Sequence, residues 1–278
     1  MDRIGIGITT WNRPEYAEKC LRSLLANIDD DVFVALHNDG SDPKHRGAYH
    51  RAYRFLFKMN HASITDETTN HGVAWAKNRL CETLLDQGCT WVFLLEDDVL
   101  LESPLAVNGY LAAARVSDMH HLSFAHHGVA NIGGPVQVDG PIAFYPHSVG
   151  AWCLYSREWL TEVGLFDENM VNAFEHVEME LRGFQRGYAP GAGPHRFPDA
   201  TESRQWLSEI PGSIEHSAIR LRDDWTLNIR NALAYWKAAK PDTFAMMFGP
   251  GTPLEDYAYR FLGQETHDEP ESAAGTPR

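Results

Sequence analysis

No stretch of this chain approaches the ~20 consecutive apolar residues that a membrane-spanning helix requires. The opening residues, MDRIGIGITTW, lack the layout of a secretory signal. Positive charge is also short: 24 Lys and Arg against 38 Asp and Glu give a formal net charge of −14. A surface that tracks nucleic-acid phosphates or anionic lipid needs clustered cations, so tight nonspecific binding to either is disfavoured. A nucleotide-sized ligand is not excluded, because a bound metal can supply positive charge locally. Cysteine is scarce: Cys20, Cys81, Cys89 and Cys153 form no C-x-x-C pair, and Cys20 and Cys81 sit in helix-like patterns as small hydrophobes. Free thiols in a reducing compartment follow, and the absences together predict a soluble cytoplasmic protein. No internal repeat is present.

The 278 residues, 44% hydrophobic and 22% charged, suit one large α/β domain with or without an appended segment. RIGIGITT reads as a buried strand. In NRPEYAEKCLRSLLAN, Asn12 is a candidate cap, Glu15 lies at capping-box spacing and Pro14 suits the first turn. Ala17, Cys20, Leu21, Leu24 and Leu25 form its apolar face. VFVALHN is a second strand, NHGVAWAKNRLCETLLDQG a loop and helix, and WVFLL a third strand. Apolar strands alternating with helices predict a parallel sheet covered on both faces. Ligands of such sheets gather at the carboxyl ends of the strands, here Thr9–Arg13, Asn38–Asp42 and Glu96–Asp98. Beyond Pro104 the pattern turns irregular: a helix, short β segments, a helix-turn-helix from Arg157 to Tyr188, and an amphipathic helix in DDWTLNIRNALAYWKAAK. The polar end of the chain, residues 263–278, reads as a disordered tail.

Glu96, Asp97 and Asp98 follow directly on WVFLL. Adjacent carboxylates repel and are costly to desolvate without a cation. A hard divalent cation, Mn²⁺ or Mg²⁺, is commonly held by one or two carboxylates plus substrate phosphates. A helix N-terminus after ITTWNRP offers unpaired N–H groups to phosphate or base oxygens. Asp39 in HNDGSD can accept from a ribose hydroxyl or base N–H. Gly5-Ile6-Gly7 is no dinucleotide fingerprint, since it lies inside the strand and lacks the third glycine. The paired histidines of HHLSFAHH point to opposite strand faces and read as structural or surface residues. Glu178 and Arg182 stand at i, i+4 as a helical salt bridge; His176 beside Glu175 is less readily surface decoration.

These segments, in this order, resemble the GT-A-fold glycosyltransferases of the family 2 group. The resemblance is carried by ITTWNRPEYAEKCLRSL, NDGSDP, NHGVAWAKNRL, LLEDDV and GLFDENMVNAFEHVEMELRGFQRGY, spanning Ile4 to Gly187 and reaching toward His216. It implies an α/β GT-A fold with a mostly parallel central sheet flanked by helices. Residues 1–218 would form the transferase domain, with 1–104 the nucleotide-binding half and 105–218 the acceptor-side half. Residues 219–262 would be a helical extension. It further implies that Thr9, Thr10, Asn12, Arg13 and Asp39 hold the nucleotide, most often a uridine in this family, and that Lys77, Asn78 or Arg79 lies near the diphosphate. Glu96 and Asp98 would end the metal element, with Asp98 the direct ligand, Asp97 its variable middle and His216 a late metal neighbour. The family's Glu-Asp pair is Glu175-His176 here, leaving the base among His176, Glu175 and Glu178. Inversion is the expected stereochemistry, with retention the alternative. The segment from His126 to Trp152 would shape the acceptor pocket, with Trp152 a candidate sugar-stacking ring or a core residue. The expected activity is metal-dependent transfer from a nucleotide sugar to a hydroxyl of a protein, glycan or small molecule, nucleic acid being less favoured. The alternatives are a sugar-phosphate nucleotidyltransferase, which TTWNRP serves poorly for want of a Gly-rich basic loop, and a non-catalytic nucleotide- or carbohydrate-binding module.

Overall fold

Strand and helix alternate through the first third of the computed structural model, which describes residues 2–249. The order is β1 (Ile4–Thr10), α1 (Pro14–Ala26), β2 (Phe33–Asn38), α2 (Arg46–Tyr53), β3 (Ala62–Asp66), α3 (Val73–Asp86) and β4 (Trp91–Glu96). Then follow β5 (Val99–Leu101), α4 (Leu105–Val116), β6 (His121–Ser123), β7 (Gln137–Asp139), β8 (Ile142–Tyr145), β9 (Trp152–Ser156) and α5 (Arg157–Glu162). Next come α6 (Glu175–Gln185), β10 (Phe197–Ala200), α7 (Ser203–Trp206), β11 (Leu207–Glu209), α8 (Trp225–Ala239) and α9 (Pro241–Phe248). The central sheet runs β3-β2-β1-β4-β9-β6; β3, β2, β1 and β4 are parallel, and β9 is antiparallel to both its neighbours. A β10-β8-β7 antiparallel sheet and a β11-β5 pair complete it.

The glycines of β1 explain how the sheet is covered. Ile6 and Ile8 are fully buried, and the alternating positions on the other face are glycine. A Cβ at Gly5 would stand 2.7 Å from Cys89 Sγ and 2.8 Å from Leu84; one at Gly7 would stand 3.0 Å from Leu80 Cβ. The pair lets α3 lie close on the sheet, a packing role and not a phosphate loop. All four cysteines are buried and free. A second core joins α6 to α8 and α9 through Val177, Leu181, Ile229, Leu233, Trp236 and Phe244.

Three local features depart from the sequence pattern. Asn12 does not cap α1: its φ is 56°, and its Oδ1 instead accepts the Asp42 N–H at 2.7 Å, so no side chain caps this helix, although Pro14 opens it as expected. The left-handed backbone turns the Asn12 side chain away from the helix. Second, α2 and β3 add elements between β2 and α3 that no apolar run announces. Only Tyr49, Ala52 and Tyr53 of α2 are buried, and β3 is a partly exposed edge strand. Third, α9 follows the amphipathic helix after Lys240. No helix among the described residues is long and apolar enough to cross a membrane. The expected tail, 263–278, and the end of the helical extension from 250 lie outside the described residues.

Candidate active site

The register of the sheet brings the three polar strand ends together: Thr9 is opposite Glu96 and Thr10 opposite Asn38. They open on a cavity of about 1120 Å³, lined on this side by Thr9, Thr10, Trp11, Arg13, Asp39 and all three acids Glu96, Asp97 and Asp98. Glu175 and His176, which begin α6, line it from the other side.

The three acids have different partners. Asp97 is only 1% exposed; it pairs with the Arg13 guanidinium and accepts from Thr10 Oγ1 at 2.6 Å. Asp98 accepts from Arg13 at 3.0 Å through Oδ2, and its Oδ1 lies 3.1 Å from His127 Nε2. Burial pushes both carboxyls up; in Asp98 the His127 hydrogen bond and charge and the Arg13 charge outweigh it and hold the group down, whereas in Asp97 burial prevails. Glu96 points the other way and receives Lys77 Nζ at 3.1 Å. Asp97, expected to be the variable middle of the element, therefore shares Arg13 with Asp98.

Lys77 links the two sides of the cavity. Its side chain is 2% exposed, and Nζ also reaches Gly150 O at 3.2 Å and Glu175 Oε1 at 3.3 Å. The same Glu175 oxygen lies 3.3 Å from His176 Nδ1. Burial raises the Glu175 carboxyl, but Lys77 and His176 outweigh it and bring it to about 2. Burial lowers His176, and the Glu175 charge more than restores it, so the imidazole ends above its ordinary value. A carboxylate locked by a buried lysine thus fixes an imidazole whose other nitrogen is not needed for the lock.

Asp39 accepts from the N–H groups of His71 and Gly72 and from Asn70 Nδ2, fastening the turn before α3. Trp11 lies beside it, with the Arg222 guanidinium 5.3 Å above its ring and Arg222 also bonded to Asn70 Oδ1 at 3.1 Å. Trp11, Asn70, His127 and Arg222 line the cavity, and sequence reasoning passed over them. His127 was hidden by strand logic: β6 ends at Ser123, so the alternation of HHLSFAHH does not extend to it.

Other expected residues lie elsewhere. Asn78 is buried and clamps Phe166 through both its N–H and C=O, while Arg79 pairs with Glu82 and Glu168. Glu178 is fully buried between Arg182 at 2.8 Å and Lys240 at 3.0 Å; the helical salt bridge is present, and the group does not line the cavity. Trp152 is fully buried with its ring 4.9 Å from that of Phe93. Asn12 serves the Asp42 turn. His216 is exposed, sits on Gly212 O at 2.9 Å and Tyr16 Oη at 3.2 Å, and does not line the cavity.

The acid end fits a divalent cation of the oxygen-preferring kind. Among the described residues no three acid, histidine or cysteine side chains close on a common point. An ion would therefore be held by few protein ligands, Asp98 first, and completed by ligand phosphates. Charge makes the same demand. At this end Glu96, Asp97, Asp98 and Glu175 face Arg13 and Lys77, while Arg220 and Arg222 line the cavity farther round, so a cation beside Asp98 would meet excess negative charge.

No protein-family model and no curated protein matches this sequence. Solved structures match it in fold. S. aureus TarS 1–349 aligns at TM-score 0.54 and 13% identity, over 92% of this chain and 77% of that one. Its complex with UDP aligns at 0.52 and 14%, over the same shares. GalNAc-T7 with UDP, GalNAc and Mn²⁺ aligns at 0.59 and 11%, over 95% of this chain and 55% of that one. At these identities the likeness is one of fold, and the fold is that of the GT-A glycosyltransferases, a mixed α/β architecture with a mostly parallel six-stranded sheet.

Proposed function

We propose that this chain is a metal-dependent glycosyltransferase that moves a sugar from a UDP-sugar to an acceptor hydroxyl with inversion at the anomeric carbon. The observation that carries the reading is one cavity lined by Thr9, Thr10, Trp11, Asp39 and Asp98 on one side and by Glu175 and His176 on the other, with buried Lys77 bonded to Glu175 from behind. Solved structures of the same fold hold UDP and Mn²⁺, which supports the donor and the metal.

In this reading residues 1–104 bind the nucleotide, residues 105–218 shape the acceptor side, and the helices after 219 buttress α6. Trp11 and Asp39 border the nucleoside, and Arg13 with Asp97 holds the loop between β1 and α1 against the rim. A divalent metal, when bound at Asp98, supplies positive charge to the diphosphate leaving group. His176 donates Nδ1–H to Glu175, which leaves the Nε2 lone pair for the acceptor. The acceptor hydroxyl gives its proton to Nε2 as its oxygen bonds to the anomeric carbon; the bond from that carbon to the diphosphate oxygen breaks, and nucleoside diphosphate leaves. Glu175 steadies the imidazolium that forms, and Lys77 keeps Glu175 ionised.

A panel of nucleotide sugars with Mn²⁺, assayed for release of nucleoside diphosphate, tests this. UDP release from a UDP-sugar, lost by a factor of about 10² or more in His176→Ala with donor binding retained, is the expected result. Pyrophosphate release from a nucleoside triphosphate would point to a nucleotidyltransferase instead, and donor binding with no turnover to a binding module.

A further inference from the structure

The four histidines of HHLSFAHH have four different surroundings. His120 is bonded to Ser156 Oγ at 2.8 Å, His121 is buried against Leu154 O and Glu180, and His126 lies 2.9 Å from Tyr145 Oη. His127 alone of the four lines the cavity at its acid end, with Nε2 3.1 Å from Asp98 Oδ1.

Its position is built on both sides. Two residues earlier, the Ala125 N–H donates at 3.0 Å to Asp199, a fully buried carboxylate that also accepts from Tyr110 Oη, Ser203 Oγ and the Ala200 N–H at 2.7 Å each. One residue later, the Gly128 N–H donates at 2.7 Å to Glu209 Oε2, with Gly128 at φ 72° making the turn. Glu209 Oε1 stands 3.9 Å from His127 Nε2. Two carboxylates on different elements thus fix the backbone that presents this imidazole.

We propose that His127 and Asp98 are the pair of protein ligands for the divalent metal, His216 taking no part. The proposal rests on the metal-dependent reading above and names its ligand set. Two atoms bonded at about 2.1 Å to adjacent positions of an octahedral ion stand about 3.0 Å apart; Asp98 Oδ1 and His127 Nε2 are held at 3.1 Å, facing the cavity. Arg13 occupies the other Asp98 oxygen, Oδ2, leaving Oδ1 for the cation. Carboxylate, phosphate and water oxygens suit Mn²⁺, and the positions beyond the Asp98–His127 pair are open to diphosphate oxygens and water.

The test is Mn²⁺ binding to the full chain, with and without UDP, followed by electron paramagnetic resonance. Free-ion signal gives the affinity, and pulsed measurement reports any nitrogen coupled to the bound ion. Wild type shows a coupled imidazole nitrogen. His127→Ala loses that coupling and binds Mn²⁺ at least tenfold more weakly, and His216→Ala keeps both. Affinity alone does not decide, because a residue that merely orients Asp98 also costs about 10–100-fold; the nitrogen coupling does. His127→Gln serves as the second variant, with thermal unfolding confirming that the variant measured is folded. Bound Mn²⁺ without nitrogen coupling in wild type, coupling that persists in His127→Ala or His127→Gln, or coupling lost in His216→Ala overturns the proposal. The transferase reading fails separately: Mn²⁺ held through His127 nitrogen with no turnover of any nucleotide sugar supports the ligand pair and refutes the activity. Sugar transfer with Mn²⁺ bound only through oxygen does the reverse.

Discussion

Replacing Lys77 by Met tests whether the two sides of the cavity are joined by a buried ion pair. Lys77 is 2% exposed and contacts Glu96, Glu175 and the Gly150 carbonyl, and Met fills nearly the same space without the charge. Removing one member of a buried pair typically costs about 3–5 kcal/mol because the partner is left uncompensated. Glu96 is 29% exposed and water can reach it, so its share is small; Glu175 is 5% exposed and carries most of the loss. The lower end, about 3 kcal/mol, is therefore expected, or a fall in Tm of roughly 6–12 °C at 2–4 °C per kcal/mol. Burial lowers the lysine, but Glu96 and Glu175 raise it above its ordinary value. Its share of stability is thus complete below about pH 10.4 and is lost only as pH rises through the higher folded value. Glu175 has the opposite sign: its folded value of about 2 means that its share is present above about pH 4.3 and disappears as pH falls toward 2. Thermal unfolding of wild type, Lys77→Met, Glu175→Gln and the double variant at pH 7 and 3 measures the size of the pair and its acid limb. The double variant should recover at least half of the Lys77→Met loss, since it removes the stranded charge. A Lys77→Met loss below about 1 kcal/mol, the range of an exposed pair, would refute a dry, coupled pair.

The His176 imidazole stands above its ordinary value because of Glu175, and a base must be neutral to act. The rate should therefore rise with pH through a limb above about 6.5, and Glu175→Gln should move that limb downward while lowering the rate; an unmoved limb removes His176 from the role. Gly183→Ala should destabilise the protein despite a gain of about 1 kcal/mol in helix propensity. The new Cβ would fall 1.9 Å from the indole of Trp159, which is fully buried and cannot retreat; chemical denaturation showing a gain would refute the packing. Trp11→Ala should weaken UDP binding about tenfold or more if the ring borders the nucleoside, with calorimetry as the readout and unchanged affinity as the refuting result.

Much of the route from sequence to site follows from two local facts. Apolar strands that end in polar residues identify the sheet and its ligand edge, and the short reach of a strand leaves Thr9–Arg13, Asp39 and Glu96–Asp98 no choice but to share it. Helical spacing likewise gave the Glu178–Arg182 pair and the faces of α1 and α3. These patterns report which face of an element is buried. They carry nothing about which charges meet across the fold, and those meetings decide the site. Asp97 looks interchangeable beside its neighbours until Arg13, 84 residues away in sequence, arrives against it. Lys77 reads as a phosphate-facing cation on an amphipathic helix, yet close packing of α3 over the β1 glycines buries it between Glu96 and Glu175. Trp152 reads as a sugar platform or core residue until β9 inserts beside β4 and the ring meets Phe93. His127 is invisible as a functional residue in a run of paired histidines, because its aim is set by Asp199 and Glu209 from the far end of the domain. The sequence by itself determined three parallel strands of the sheet, β1, β2 and β4, their polar edge and the acids on it. Only tertiary structure decided which carboxylate holds an arginine, which faces a histidine and which a lysine, since electrostatic pairing depends on distance in space and desolvation, and neither is written in local spacing.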